Sequence, residues 1–353
     1  MALLYFKAEN FRLFDTVEFQ LHPRYNLIYG DNASGKTSAL EAISYLGRGR
    51  SFRDAQTKSI VKNGQEDFLL FGQTVNESKQ DKLGITNGSS GLALSLNGEH
   101  TGGLESLARS LPVQVIDPNI HNLVAGSPEN RRRFLDWVVF HVEPSYLKVW
   151  RKYKRSLKQR NLLLKNHNNK ELRSWNKGFI ALGEEINKLR CSVFEVLESA
   201  VSQISTSLLD DGVSFHYDRG WPDNQNLEES LIKSETRDIQ LKSTQIGPHR
   251  ADISITYAAC RAKKYISRGQ QKLLACAMVL GSVEIVQEYM DSPILLLLDD
   301  PSAELDNNSL DKLMKEVVAM GPQIIATSIE KHENFFPDEY FVFHVEHGKV
   351  KLV

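Results

Sequence analysis

The feature that most constrains the fold is the segment 25–38, which reads YNLIYGDNASGKTS. An apolar run predicted to be a strand ends at Gly30, and four residues later Gly35, Lys36 and Thr37 open a segment with helical periodicity. The pattern G-x-x-x-x-G-K-T between a strand and a helix is typical of a phosphate-binding loop. The sequence therefore predicts a nucleotide site at the beginning of this helix.

The residue types suit that chemistry. Glycine permits backbone conformations in which successive N–H groups point at phosphate oxygens, and the helix N-terminus adds positive charge. Lys36 would reach the β- and γ-phosphates, and the Thr37 hydroxyl would bind Mg²⁺. ATP and Mg²⁺ are therefore the predicted cofactors. The predicted nucleotide-binding residues are Gly30, Asp31, Asn32, Ala33, Ser34, Gly35, Lys36, Thr37 and Ser38, with Arg12 as an added candidate whose alternative is a solvated turn.

A second acidic motif lies near the end of the chain. The apolar run 293–298 predicts a strand buried on both faces of a parallel sheet, and Asp299 and Asp300 follow it directly. Ligands of open α/β sheets bind at the carboxyl ends of the strands. We expect Asp299 to hold Mg²⁺ and Asp300 to orient or deprotonate an attacking water.

Two further polar positions are candidates for the same chemistry. Ser267 and Gln270 precede a long apolar helix, which fits a capping box and is equally compatible with an anion site at a helix N-terminus. Thr327 ends a later predicted strand, and its hydroxyl could donate a hydrogen bond to phosphate.

Positive charge is local in this chain. With 43 basic against 44 acidic residues there is no global field, so any nucleic-acid site must be a patch. The first basic segment is the loop 47–53, which is interrupted by glycines. The second lies in a helical region that begins near residue 127. Two long helices are predicted in this region, over 145–164 and 172–209, with a break at 166–169. A solvated surface is the alternative for both. The candidate DNA-contacting residues are Arg48, Arg50, Arg53, Arg131, Arg132, Arg133, Arg151, Lys154 and Arg155.

The order of these motifs is that of an ABC-type ATPase head with an inserted helical arm. The chain resembles the RecF family of bacterial DNA repair proteins, which are related to the heads of SMC proteins. The resemblance extends over most of the chain and rests on the segments 10–12, 30–37, 49–53, 131–136, 158–161, 247–252, 267–270 and 299–306. It implies an α/β fold with an ATPase lobe of residues 1–116 and 250–353 and a helical arm lobe of residues 117–249.

The resemblance also implies a function. A RecF-type protein would dimerise around two ATP molecules, with Ser267 of one subunit contacting the γ-phosphate held by Lys36 and Thr37 of the other. It would bind DNA at single-strand gaps and junctions, hydrolyse ATP slowly, act with RecO and RecR to load the RecA recombinase, and contribute to SOS induction. The alternatives are an ATPase subunit of another SMC or ABC-type assembly, either transporter-like or similar to OLD nucleases.

Two positions differ from the general ABC pattern. Asp300 stands where a glutamate is usual, and its shorter side chain suits slow turnover. Thr327 stands where a histidine is usual. The Q-loop position is not obvious, with Gln114 inside a predicted strand and Asp117 after it. The absence of C-x-x-C pairs and the charged segment 1–14 predict a cytoplasmic protein without a signal peptide or membrane partner.

Overall fold

The computed structural model describes residues 1–53, 59–76, 79–89, 91–166, 169–209, 212–257, 260–331 and 335–353. These residues form two compact units. The first unit is Met1–Ile120 with Val286–Val353, and the second is His121–Ile285.

The first unit contains a six-stranded sheet that carries the phosphate-loop strand at its middle. Its order is β15-β14-β3-β13-β12-β8, in which only β15 is antiparallel to its neighbour. The bounds are β3 Tyr25–Tyr29, β8 Val113–Ile116, β12 Leu295–Leu298, β13 Gln323–Ser328, β14 Phe341–Glu346 and β15 Lys349–Leu352. Parallel pairing brings the carboxyl ends of β3, β12 and β13 to one edge of the sheet. The phosphate-binding loop follows β3 and the two aspartates follow β12, so both motifs lie at this edge, as the sequence predicted.

The second sheet of this unit is antiparallel, with the order β2-β1-β4-β5-β6-β7. Its strands are β1 Ala2–Phe11, β2 Phe14–Gln20, β4 Asp67–Asn76, β5 Lys79–Gly88, β6 Gly91–Leu96 and β7 Glu99–His100. The helices of the unit are α1 Lys36–Arg48, α2 Leu104–Ser110, α10 Pro301–Glu304 and α11 Asn307–Met320. Apolar side chains of α1 and of both sheets belong to one buried core cluster, which fixes the start of α1 at the end of β3.

The second unit is mostly helical. Its helices are α3 Asn122–Ala125, α4 Pro128–Val142, α5 Tyr146–Lys165, α6 Asn169–Leu209, α7 Leu227–Leu241 and α8 Ala262–Tyr265, and α9 Arg268–Met290 runs across the division between the units. The two long predicted helices are present as α5 and α6. The predicted break between them includes residues 167 and 168, which lie outside the described residues.

The second unit extends further along the chain than the predicted arm, ending at Ile285 instead of residue 249. The reason is strand pairing. Strand β10 (Asp252–Tyr257) is antiparallel to β9 (Val213–Asp218) and to β11 (Cys260–Arg261), so the segment after residue 250 completes a sheet of the helical unit. In the structure this segment therefore groups with the helical unit.

Helix α9 is long and apolar enough to cross a membrane by length and composition alone. However, 72% of its most apolar window is buried inside the fold, which is how the core helix of a globular domain behaves.

A buried polar network surrounds the motif 247–252 in the second unit. His249 Nδ1 lies 2.7 Å from the Tyr153 hydroxyl, and Nε2 lies 3.0 Å from the Thr244 carbonyl oxygen. Because a carbonyl only accepts, Nε2 carries the proton and Nδ1 accepts from Tyr153. Burial lowers the pKa of His249 to about 4, so the ring is neutral in the folded protein near neutral pH.

Because His249 is neutral in the folded protein, we expect the protein to lose stability in mild acid. The unfolded chain binds a proton at His249 below about pH 6.5, and the folded chain does so only below about pH 4. The free energy of unfolding should therefore fall as the pH drops through this window, by about 2 kcal/mol between about pH 7 and about pH 5. Urea unfolding at the two pH values measures the loss. His249→Gln can keep both hydrogen bonds and cannot titrate, so it should lose less stability than the wild type. Equal losses in the two proteins would contradict the assignment.

Candidate nucleotide site and basic surface

The loop between β3 and α1 has the backbone that its glycines allow. Gly30 has a φ of 153° and Gly35 a φ of 120°, both in the region that favours glycine. A Cβ added at Gly30 would lie 2.2 Å from the carbonyl oxygen of Val345, so the loop also passes too close to β14 for a larger residue.

A cavity of about 220 Å³ opens beside this loop. It brings together the phosphate-loop residues, the two aspartates after β12 and one arginine of the basic loop. Its lining residues are Leu13, Asn32, Ala33, Gly35, Lys36, Thr37, Ser38, Arg53, Asp299 and Asp300. Gly30, Asp31 and Ser34 belong to the predicted set without lining the cavity, and they support the loop behind it. Leu13 was not predicted, and nothing in its local sequence pattern marks it.

Lys36 is held by the loop that it follows. Its Nζ donates to the carbonyl oxygens of Gly30 at 2.6 Å and Asp31 at 2.9 Å. Burial lowers the pKa of this ammonium group, and the carboxylates of Asp300, Asp299 and Asp31 oppose the shift. A buried cation satisfied only by carbonyl oxygens is well suited to exchange them for phosphate oxygens.

Asp299 lies where a divalent cation would be held. Its Oδ1 accepts from the Thr37 hydroxyl at 2.9 Å and from the Thr327 hydroxyl at 3.0 Å. Burial raises the pKa of Asp299, which the two hydroxyl groups and the charge of Arg53 oppose. A desolvated carboxylate beside a threonine hydroxyl provides the hard oxygen ligands that Mg²⁺ prefers, so these two residues fit the predicted metal site.

The structure places Thr327 beside the two aspartates, whereas the sequence predicted a hydrogen bond to phosphate. Its hydroxyl is fully buried and does not line the cavity. It accepts a hydrogen bond from the backbone N–H of Asp300 at 2.9 Å and donates one to Asp299 Oδ1 at 3.0 Å. The sequence could not distinguish these possibilities, because both place a polar residue at the end of β13.

The structure pairs Arg12, which was predicted to contact the nucleotide, with a carboxylate of the protein. Its Nε and Nη2 donate to the two carboxylate oxygens of Glu41 at 2.9 and 2.6 Å, and Nη1 donates to the Ser59 carbonyl oxygen. Glu41 lies on α1, is fully buried, and also accepts from the Ser51 hydroxyl. Sequence reasoning missed Glu41, although an acidic residue on the apolar side of a core helix is the available signal.

The two candidate residues for the Q-loop position lie in and directly after β8. Gln114 lies inside this strand and is buried. Asp117 follows the strand directly, and the residue before it, Ile116, is the register partner of Leu298. Asp117 and Asp299 therefore follow neighbouring parallel strands at the same edge of the sheet, which favours Asp117 for this position.

The arginines of the basic loop have three different environments. Arg48 is half-buried at the end of α1, and desolvation together with the charge of Arg50 lowers its pKa to about 10. Arg50 is exposed. Arg53 lines the cavity and lies 3.5 Å from Glu41, so it is placed for a nucleotide phosphate at least as well as for DNA.

Two of the three consecutive arginines at the start of α4 have structural roles. Arg131 is buried, forms two hydrogen bonds with Asp252 at 2.7 and 3.1 Å, and donates to carbonyl oxygens of the preceding turn. These contacts give Arg131 a role in supporting the fold, and its predicted DNA contact stays a prediction. Arg132 is partly buried and donates to the Ala251 carbonyl oxygen, whereas Arg133 is exposed and pairs with Glu129 on the same helix.

Helix α5 carries a cluster of exposed positive charge in the second unit. The predicted residues Arg151, Lys154 and Arg155 are all exposed, and Lys154 covers the ring of Trp150 at 5.5 Å. Four more lysines of the same helix are exposed: Lys148, Lys152, Lys158 and Lys165. We call these seven residues the α5 basic face. Arg160 is excluded from it, because it is fully buried and paired with Asp238.

Ser267 forms the predicted capping box. Its backbone N–H donates to Gln270 Oε1 at 2.9 Å, and the Gln270 N–H donates to Ser267 Oγ at 3.2 Å. Ser267, Arg268 and Gly269 are exposed, so the N-terminal end of α9 is accessible at the surface of its unit.

Comparison with known proteins agrees with this geometry. Residues 3–350 match the family described as RecF/RecN/SMC N terminal domain. The DNA replication and repair protein RecF of Marinobacter nauticus is 35% identical, over 99% of both chains. The RecF protein of Shewanella oneidensis is 33% identical over 100% of both chains. The chain belongs to the RecF family.

Solved structures agree with this RecF assignment. A structure described as the recombination mediator protein RecF-ATP in the RecFOR pathway is 26% identical, with a TM-score of 0.91 over 100% of this chain and 97% of that chain. An SMC head bound to the winged-helix domain of ScpA is 15% identical with a TM-score of 0.61, covers 100% of this chain and 97% of that chain, and supports the fold alone. The predicted SMC-like, ABC-type ATPase head is thereby confirmed.

Proposed function

We propose that this chain is an ATP-dependent DNA-binding protein of recombinational repair that acts in the cytoplasm. ATP binding would join two copies, DNA would lie across the dimer, and slow hydrolysis would release it. The observation that carries the proposal is the convergence of Lys36, Thr37, Asp299 and Asp300 on one cavity. The likeness of the whole chain to a structure described as RecF-ATP supports ATP as the nucleotide.

Each residue of the cavity has a task in this account. Lys36 would leave the loop carbonyls and compensate the charge of the β- and γ-phosphates. Thr37 and Asp299 would hold Mg²⁺, which supplies positive charge to the phosphate oxygens when bound. Asp300 would accept the proton of an attacking water. Its side chain is one methylene shorter than that of glutamate, so its carboxylate would position the attacking water less well. We therefore propose a weak, DNA-dependent ATPase activity.

The dimer would be built with the N-terminus of α9. Ser267 is exposed, and its hydroxyl accepts a bond from its own helix. In the dimer, this helix end would face the γ-phosphate held by the Lys36 and Thr37 of the second copy. ADP lacks that phosphate, so only ATP would stabilise the dimer.

The α5 basic face is the proposed DNA contact, together with Arg50 and Arg133. We propose single-strand gaps and junctions as the DNA structures, with RecR as a partner and RecO in the same pathway, and RecA loading and SOS induction as the outcomes. The description of the related structure as part of the RecFOR pathway supports this assignment. The proposed partners do not include a membrane.

Removing charge from α5 should weaken the salt dependence of DNA binding. Each lysine or arginine that neutralises a phosphate contributes roughly 0.9 to the slope of log affinity against log salt. The triple replacement of Arg151, Lys154 and Arg155 by alanine should therefore reduce the slope by about 3. The matched control replaces exposed Lys315, Lys349 and Lys351, which removes the same charge from the other unit. Equal slopes for the two triple variants would exclude α5 as the contact.

The proposed function is tested by DNA binding in three nucleotide states. Fluorescence anisotropy on gapped duplex DNA should show tighter binding with ATP than with ADP or without nucleotide, because only ATP assembles the dimer. Binding that is equal in all three states would contradict an ATP-regulated clamp. A chain that binds ATP without any affinity for DNA would favour the alternative of another ABC-type assembly.

A further inference from the structure

The hydroxyl of Thr327 joins the two aspartates of the nucleotide site. Thr327 is the fifth residue of β13, and its neighbour Ala326 is the register partner of Leu298, the last residue of β12. This pairing places Thr327 beside the point where the chain leaves β12 for Asp299 and Asp300. Its side chain is fully buried there.

The direction of each hydrogen bond follows from the atoms. The backbone N–H of Asp300 can only donate, so the Thr327 oxygen accepts at 2.9 Å. The hydroxyl has a single proton, and its two acceptors are Asp299 Oδ1 at 3.0 Å and the Leu298 carbonyl oxygen at 3.5 Å. The shorter contact to a carboxylate is the stronger one, so the proton belongs to Asp299.

Asp300 needs this support because of its backbone. It has φ 48° and ψ 56°, a left-handed conformation that costs a non-glycine residue about 1 kcal/mol. Three hydrogen bonds to described residues hold it there: the N–H bond to Thr327, the bond from the Ser302 hydroxyl to Asp300 Oδ1 at 3.1 Å, and the bond from the Ala303 N–H to the Asp300 carbonyl oxygen at 3.2 Å. The conformation sets the direction in which the Asp300 carboxylate leaves the chain.

We propose that Thr327 is a positioning residue that orients the metal-binding carboxylate of Asp299 and the water-activating carboxylate of Asp300 together. The inference rests on the proposed ATPase function of the cavity. It gives Thr327 no contact with the nucleotide. Loss of its hydroxyl should therefore affect the requirement for Mg²⁺ and the hydrolysis step, and should leave binding of metal-free ATP almost unchanged.

The test uses Thr327→Val, which keeps the shape of the side chain and removes the hydroxyl, and Thr327→Ser, which keeps the hydroxyl. Single-turnover hydrolysis should slow by about tenfold or more in Thr327→Val, the effect of losing a hydrogen bond to a charged group. A fluorescent ATP analogue titrated with Mg²⁺ should require several-fold more Mg²⁺ for half-maximal response. Its affinity without Mg²⁺ should change by less than about twofold, and Thr327→Ser should restore both wild-type properties.

A control variant separates positioning from general destabilisation. Thr74→Val removes a buried hydroxyl from β4, outside the cavity lining, and should leave hydrolysis and Mg²⁺ dependence unchanged. Thermal melting checks that each variant is folded; Thr327→Cys, which lacks a strong acceptor oxygen, replaces Thr327→Val if the latter does not fold.

Three outcomes would overturn the inference. Unchanged hydrolysis and Mg²⁺ dependence in the variant without the hydroxyl would remove the positioning role. Weaker binding of metal-free ATP would show that Thr327 contacts the nucleotide. Failure of Thr327→Ser to restore function would mean that the methyl group matters instead. A wild-type protein that does not bind the analogue would contradict the proposed function itself, which is a distinguishable result.

Discussion

Replacing Lys36 by alanine is expected to reduce ATP affinity by about two orders of magnitude. The Lys36 ammonium group donates hydrogen bonds to two backbone carbonyl oxygens of the loop, at 2.6 and 2.9 Å. These bonds can be exchanged for bonds to the β- and γ-phosphates. Two lost charge-assisted hydrogen bonds amount to roughly 3 kcal/mol of binding free energy. Equilibrium binding of a fluorescent ATP analogue measures the change.

Exposed Lys315 on α11 provides the control for this experiment. Lys315→Ala removes the same charge from the same unit and should bind the analogue as the wild type does. If Lys36→Ala also retained wild-type affinity, the phosphate-loop assignment would be wrong and the cavity would need another ligand.

Placing a charge at Ser267 is expected to abolish ATP-driven dimerisation while leaving ATP bound to the monomer. Ser267→Arg inserts a bulky group at the N-terminal end of α9, where the proposed dimer has no space for it. Ser267→Asp is the sharper variant, because aspartate caps a helix as well as serine does and carries a negative charge that a γ-phosphate would repel. Light scattering with ATP reads out dimerisation.

The aspartate variant distinguishes the two interpretations of the capping box. If Ser267 only caps α9, Ser267→Asp should keep the thermal stability and the oligomeric state of the wild type. If Ser267 also contacts the γ-phosphate bound by a second copy, Ser267→Asp should keep the thermal stability of the wild type and remain monomeric with ATP. Ser267→Ala should cost about 1 kcal/mol of stability under either interpretation.

The sequence was informative where a local pattern determines a structure. The phosphate loop, the apolar strand before Asp299 and the helices α5 and α6 follow from periodicity, glycine positions and charge, and the structure contains all of them. The capping box at Ser267 is local as well, since its two partners are three residues apart.

The contacts that the sequence did not reveal depend on partners distant in the chain. Arg131 looked like a surface cation, but its carboxylate partner, Asp252, is 121 residues away. The same holds for Arg160, which pairs with Asp238, and for Arg12, which pairs with Glu41. A run of basic residues does not reveal which members are neutralised, because burial of an arginine depends on a tertiary contact that has no local signal.

The end of the helical unit was missed for the same reason. The sequence does not identify the partner of strand β10. Pairing with β9 instead of with the ATPase sheet keeps residues 252–257 in the helical unit, which ends at Ile285.

The most direct measurement of the central claim is complementation between two inactive variants in the presence of ATP. Neither Ser267→Arg nor Lys36→Met alone should dimerise with ATP or hydrolyse it. A mixture should form heterodimers with one intact composite site, made from Lys36 of the first variant and Ser267 of the second. Light scattering and ATP hydrolysis of the mixture should therefore recover, to at most half of the wild-type activity. A mixture that remains monomeric and inactive, or a Ser267→Arg protein that dimerises with ATP as the wild type does, would contradict the account.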